Sequence, residues 1–171
     1  ATPLAALAPH ARRFGLHPLQ TFTHDRGPEQ LDGAWGAVTA EAPAAARIAV
    51  ELAEALGLRP FRIDDGMRAL YHAGAVMASN YLVTLRRAAG SLLDAAGAPP
   101  EALDPLLRRT IDNGFALTGP IDRGDWETVE RHLEVVASVE PELATAYRAL
   151  ALLTAAQASR TVPDELSGAL A

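Results

Sequence analysis

The hydrophobic pattern is dominated by one stretch, Asp64 to Gly97, whose apolar positions recur at helical spacing. Between Ala69 and Leu85 it carries no formally charged residue, only His72, Ser79, Asn80 and Thr84 among Leu, Val, Met, Tyr and Ala. At about 100° per residue, those four and Arg68 share a sector of roughly 160°. A helix that is apolar nearly all round is expected to be buried. Its uncharged polar sector is therefore expected to face either a partner subunit or a pocket. Gly97, with Pro99 and Pro100 beyond it, marks the stop.

The segments before this helix are shorter and mixed. Residues 3–12 read as a short helix or helix end, broken at Pro9. RFGLHPLQTF (13–22) has apolar anchors at Phe14, Leu16 and Phe22, and Pro18 limits it to an edge strand or strand end. AWGAVTAE (34–41) reads as a strand, with Trp35 and Val38 as core candidates. Pro43 suits a helical first turn, and 44–57 has helical spacing up to Gly57. RPFRI (59–63) is a short strand. After Asp64 the pattern is all helix: 64–97, 100–117 with Pro105 kinking or restarting it, 125–138 with Asp125 as N-cap, and 140–160. Residues 118–125 read as a loop, and the tail as a weak last helix or frayed end.

Composition narrows the chemistry. At 171 residues the chain can hold one domain, or a domain with a piece of another. All fifteen basic residues are Arg, so a lysine base or Schiff base cannot come from this chain. The absence of Cys removes disulfides, thiol nucleophiles and thiolate metal sites. A net charge of −6 with no basic stripe argues against nucleic acid. No apolar run reaches the roughly 18 residues of a membrane span, and no signal peptide is visible, so the cytoplasm is the expected compartment. Five scattered His make no H-x-x-x-H pair and no metal site. There is no G-x-S-x-G, G-x-G-x-x-G or P-loop.

Four motifs then occur in order: HPLQTF (17–22), GAWGAVTAE (33–41), YHAGAVMASNYLVTL (71–85) and TGPIDRGDWETVERHL (118–133). Together they resemble a family of bacterial oxidoreductases, pyrroline-5-carboxylate reductase-like and ketopantoate reductase-like. These have an N-terminal Rossmann-like NADP-binding domain and a C-terminal helical domain of unknown function. The resemblance covers about residues 13–157. It implies that 1–63 is the C-terminal remnant of the Rossmann-like domain. Residues 64–171 would be a helical substrate and dimerisation domain of the 6-phosphogluconate dehydrogenase C-terminal-like type. The expected fold class is thus mainly α, preceded by a small β/α piece. The chain begins at Ala1 without a methionine and would be a fragment, inactive by itself, with NADP belonging to the full-length parent and a homodimer expected.

Within that frame His72 and Asn80 are the catalytic candidates. Eight residues apart, they lie about 80° around a regular helix and could share one cleft. An imidazole and a carboxamide can polarise a carbonyl or imine as charge develops on it. Related reductases place a substrate-contacting asparagine on the first long helix of this domain, which favours Asn80. Both residues could equally be buried polar groups bridging helices. Ser79 belongs to the same polar sector. His17 lies in a His-Pro motif similar to the one prephenate dehydrogenases carry at their domain junction, with Gln20 beside it. In TGPIDRGD, Arg123 could hold a substrate carboxylate, with Thr118 nearby, or could bridge to Asp122 or Asp125 as a structural pair.

The expected activity is hydride transfer to a small 2-oxo acid or cyclic imine, with ketopantoate slightly favoured by the resemblance. Ketopantoate reductases use a lysine general acid on this domain, so His72 would have to replace it. The rival is a non-catalytic helical dimerisation module with no substrate site.

Overall fold

A computed structural model describes residues 2–170; Ala1 and Ala171, the outermost residues of the two expected domains, lie outside it. The chain forms two compact units, Ala1–Leu82 and Val83–Ala171. The expected domains divide at 63/64, where the sheet ends, which is a division by element type rather than by contact. The fold class is the expected one: mainly helical, with a three-stranded sheet in the N-terminal part.

In the first unit, strands β1 (Phe14–Leu19), β2 (Trp35–Ala40) and β3 (Arg59–Arg62) lie in that order, β1 antiparallel and β3 parallel to β2. Helix α1 (Pro43–Ala55) makes the crossover from β2 to β3, the connection a parallel pair requires. Pro43 sits in its first turn. Gly57, at φ 76°, ends it, and Leu58 N–H bonds back to Ala53 O at 2.9 Å, a Schellman closure. Pro18 is tolerated because β1 is an edge strand.

Register and alternation sort the sheet into two faces. Leu19, Trp35 and Arg59 form one row across the strands, and His17, Ala37 and Phe61 the next. Gly15 pairs with Thr39 in the third. Val38, fully buried, turns to the opposite face, which leaves that face for α1, a helix packed on all three strands. Its Ala45, Ala46, Ala49 and Ala53 are buried. Small side chains here let helix and sheet approach closely; a Cβ on Gly36 would already meet Leu58 and Leu16 at 3.2–3.3 Å.

Alternation also corrects one core candidate. Trp35 lies at the outer row of the face opposite Val38 and is 51% exposed. It stacks at its edges on Phe61 and under the Arg59 guanidinium, 6.0 Å from its ring. Phe22 lies beyond the end of β1 and is exposed. The expected helix at 3–12 is a single 3-10 turn, Leu4–Leu7, which buries Leu4.

The long central helix begins later than its sequence pattern. A 3-10 turn, Asp65–Met67, leads into α2 (Arg68–Val76). A π segment, Met77–Tyr81, then leads into α3 (Leu82–Ala95). The expectation that this helix is buried does not hold within the chain. Leu70 is 68% and Tyr81 56% exposed, and Met77, Leu82, Val83 and Leu85 are exposed as well. The apolar pattern implies burial inside one chain, whereas the chain buries Gly90 and half-buries Leu92 and Leu93 near the far end and leaves most apolar positions of the middle exposed.

In the second unit α3 stops at Gly97, φ 74°, with Ala98 N–H bonded to Leu93 O at 2.9 Å. Arg86 ties α3 to the start of the next helical segment, reaching Pro100 O at 2.7 Å and Asp104 at 2.9 Å. Helix α4 (Leu103–Asp112) carries Pro105 in its first turn. There the missing N–H costs no helical bond; a 3-10 turn, Pro100–Ala102, gives way to α4 just before it, and the expected 100–117 helix ends at Asp112. Residues 118–125 are not wholly loop, because α5 (Pro120–Arg123) occupies their middle. Helix α6 (Trp126–Val139) is capped by Asp125, which accepts from Thr128 N–H at 3.2 Å and from its hydroxyl at 2.8 Å. Helices α7 (Pro141–Gln157) and α8 (Asp164–Leu170) complete the unit. The core joins Ile121, Val129, Leu133, Ala151, Leu166 and Leu170. His132 Nδ1 and Tyr147 OH, 2.8 Å apart, link α6 to α7.

Candidate functional site

One face of the sheet and the start of α2 form an open pocket of about 150 Å³, at which His17 and His72 are exposed. β1 contributes Gly15, Leu16 and His17, and β2 contributes Ala37 and Thr39. Ile63 lies just past β3, and α2 supplies Arg68, Tyr71 and His72 from its first two turns. The strand residues come from alternate positions, so the period-2 pleat aims Gly15, His17, Ala37 and Thr39 to one side. On a helix, residues three and four apart neighbour each other, which brings Arg68, Tyr71 and His72 over that side together. Thr39 is the one buried polar residue in this wall. A cavity of this volume takes a molecule of about benzene's size.

His17 is the centre of the arrangement. Its Nδ1 lies 2.9 Å from the Tyr71 hydroxyl, and the two rings meet edge to face at 5.5 Å. His72 meets the His17 ring in the same manner at 5.9 Å. Phe61 supports Tyr71 from β3 at 5.8 Å. Burial lowers the His17 pKa first, and the neighbouring His72 and Arg68 lower it further. Burial raises the Tyr71 phenol. At neutral pH the pair is therefore a neutral imidazole and a protonated phenol. If the phenol donates to Nδ1, the imidazole proton is held on Nε2.

Arg68 is held at one end. Its Nη1 donates to Thr2 O at 2.5 Å and to Asp65 at 3.1 Å, while Nη2 lies 3.7 Å from where a Cβ on Gly15 would be. A second, broader depression of about 440 Å³ shares Ile63 and Tyr71 and adds Arg62, Asp64, Met67 and Leu70.

Of the residues expected from sequence, His17 and His72 line the cavity and the others do not. Gln20 lies past the end of β1, where its side chain accepts from Thr21 N–H at 2.9 Å. Ser79 donates to Ala75 O at 2.7 Å, with Asn80 Oδ1 3.1 Å from its hydroxyl. Both sit in the π segment, whose wider turn shifts the phase of everything after Val76. The 80° separation of a regular helix therefore does not transfer to His72 and Asn80. Thr118 and Arg123 belong to the second unit, where Arg123 Nη1 donates to Thr118 O at 2.6 Å and closes its own loop. Tyr71 is the site residue that the sequence pattern does not single out. Arg68 carries a signal only as a member of the polar sector, and Tyr71 only as the neighbour of His72.

Among the described residues, no group of three His, Asp or Glu side chains could hold a metal ion. No described helix is long and apolar enough to cross a membrane. The β2–α1 turn of the βαβ unit is Glu41-Ala42 before Pro43, without glycine and with an acidic side chain. It does not fit the pyrophosphate of a dinucleotide, which needs close backbone approach at a helix start.

Residues 34–154 match a family described as "Domain of unknown function (DUF2520)". Two solved structures share the fold. One is described as a "putative NADP oxidoreductase", BF3122 from Bacteroides fragilis, with TM-score 0.74 and 23% identity over 90% of this chain. The other is protein TM1727 from Thermotoga maritima, with TM-score 0.70 and 24% identity over 85% of this chain. The chain spans 61% of the length of each. No curated protein sequence matches it.

Proposed function

The chain belongs to the DUF2520 family, and from that premise we propose that it is the C-terminal part of an NADP-dependent oxidoreductase. It would supply a substrate cleft and a homodimer interface for hydride transfer to a small 2-oxo acid or cyclic imine. The observation that carries this reading is the cavity in which His17, His72, Tyr71 and Arg68 converge on one face of the sheet. The fold shared with an NADP oxidoreductase-described structure supports it.

On this reading the nicotinamide supplies the hydride and is held by parts of the parent other than the βαβ unit. The residues of this chain orient the substrate and hold the proton. His72 and His17 are the hydrogen-bond donors to the substrate oxygen or nitrogen on which charge develops. Tyr71 fixes the His17 ring. Ketopantoate remains the oxo acid favoured by resemblance, with His72 replacing the lysine this chain lacks. Asn80, Ser79, Gln20, Thr118 and Arg123 are assigned no contact in this cavity.

The exposed apolar positions of the central helix support a second role. Leu70, Met77, Tyr81 and Leu82 give the first unit an apolar surface that a second copy would cover, and Val83 and Leu85 are exposed in the second. The same surface supports the rival, a dimerisation module without a substrate site. Cofactor titration and a screen of 2-oxo acids and cyclic imines on the full-length parent separate the two. Substrate-dependent NADPH oxidation is expected. A parent that dimerises but neither binds NADPH nor reduces any of these compounds is the module.

A further inference from the structure

We propose that Arg68 is the carboxylate-binding residue of this site and that the cavity takes a small monocarboxylate, its carboxylate on the Arg68 guanidinium and its reactive carbon toward His17 and His72. The reactive-carbon part rests on the reductase reading; the carboxylate part stands on the cavity itself.

Arg68 is the one fixed cation in the lining, and no carboxylate side chain lines the cavity with it. Its counter-ion Asp65 and the Thr2 carbonyl both take Nη1. Among the described residues Nη2 has no hydrogen-bond partner, and it lies against Gly15 in the cavity wall. A guanidinium carries five donors in a fixed planar fork. With one nitrogen anchored, the other is aimed without losing side-chain freedom on binding, as bidentate or charge-assisted recognition of a carboxylate requires.

The surroundings favour an anion further. His17 is kept neutral, so it does not compete as a cation but can offer a single N–H. Ala37, Leu16 and Ile63 supply the apolar remainder of the wall. The volume of about 150 Å³ suits a compound of pyruvate's size. This gives the carboxylate to Arg68 rather than to Arg123, which does not line the cavity.

The test uses the 171-residue chain and pyruvate as the probe, with methyl pyruvate as its uncharged counterpart. Imidazole resonances of His17 and His72 are followed by NMR during titration. Pyruvate should shift both saturably, and methyl pyruvate should bind at least about tenfold more weakly, the loss of one charge-assisted hydrogen bond. Arg68→Gln should weaken pyruvate about tenfold or more, Arg68→Lys should fall between, and Arg108→Gln, at an exposed position, should change nothing. Equal binding of acid and ester, unchanged affinity in Arg68→Gln, or no saturable shift in the unmodified chain overturns the proposal. Should Arg68→Gln fail to fold, the acid–ester comparison still decides. Arg68-dependent binding with no turnover by the parent would keep this inference and remove the reductase reading.

Discussion

Tyr71 and His17 meet across the start of α2 and the edge strand β1, hydroxyl to Nδ1 at 2.9 Å, with their rings edge to face. Fifty-four positions separate them in sequence, so the contact exists only once the sheet and helix are assembled. It fixes the imidazole that faces the cavity. Tyr71→Phe keeps the ring contact and removes the hydroxyl. The expected result is a stability loss of about 0.5–1.5 kcal/mol, the net worth of one hydrogen bond. The Nδ1 resonance of His17 should shift in the same variant, as read by ¹⁵N NMR. Unaltered Nδ1 chemistry would mean the hydroxyl does not hold the ring.

His17 should titrate below 6.5, its ordinary value, because burial, His72 and Arg68 all disfavour its charged form. Linkage gives the sign. Between the folded and unfolded pKa the unfolded chain binds more protons, so stability rises with pH there and is lost as the pH drops below about 6.5. His17→Gln should therefore lose less stability than the unmodified chain on acidification. Removing a cationic neighbour with Arg68→Gln should move the midpoint upward by a small amount, since burial is the larger cause. An NMR titration checks both statements.

Asp125 is the N-cap of α6, and its carboxyl is held below the usual range by the Thr128 hydroxyl and backbone N–H. Asp125→Ala should remove the cap of α6 and lower the Tm by roughly 2–8 °C, read by calorimetry. The contribution is present above pH 3.8 and is lost as the pH falls through the lowered folded value. A variant with the same Tm as the unmodified chain at neutral pH would remove the cap from the account.

The proposed homodimer makes its own prediction. Leu70 and Tyr81 are exposed on the central helix, and a charge there costs little in a monomer but is buried in a dimer interface. Leu70→Glu with Tyr81→Glu should give a monomer by sedimentation where the unmodified chain sediments as a dimer. A monomeric unmodified chain would leave the apolar surface unexplained.

Much of the architecture is legible in the sequence because it rests on local chemistry. Pro43, Gly57, Gly97 and Asp125 each act within one turn of the chain, and each marks an element end where its residue type predicts one. Trp35 departs from its expected place in the core because a six-residue strand shows which residues alternate but not which row a neighbour covers. The π segment carries no sequence signal, since Met77–Tyr81 has ordinary helical residues, and it breaks the regular-helix phase linking His72 to Asn80. His17 and His72 stand out by residue type, and Arg68 as a member of the polar sector. Tyr71 does not, because its role depends on β1 coming to lie under α2, a pairing that no local spacing records. Exposure of the central helix is equally illegible, because an apolar stripe looks the same whether its cover is the same chain or another.

The most direct measurement is the steady-state kinetics of His72→Ala in the full-length parent, followed as NADPH oxidation with the best 2-oxo acid or cyclic imine. Loss of a positioned proton donor should lower kcat by about 10²–10⁴ and leave KM nearly unchanged. Full kcat in the variant, or no substrate-dependent NADPH oxidation by the parent, would contradict the assignment of this cavity as the substrate site.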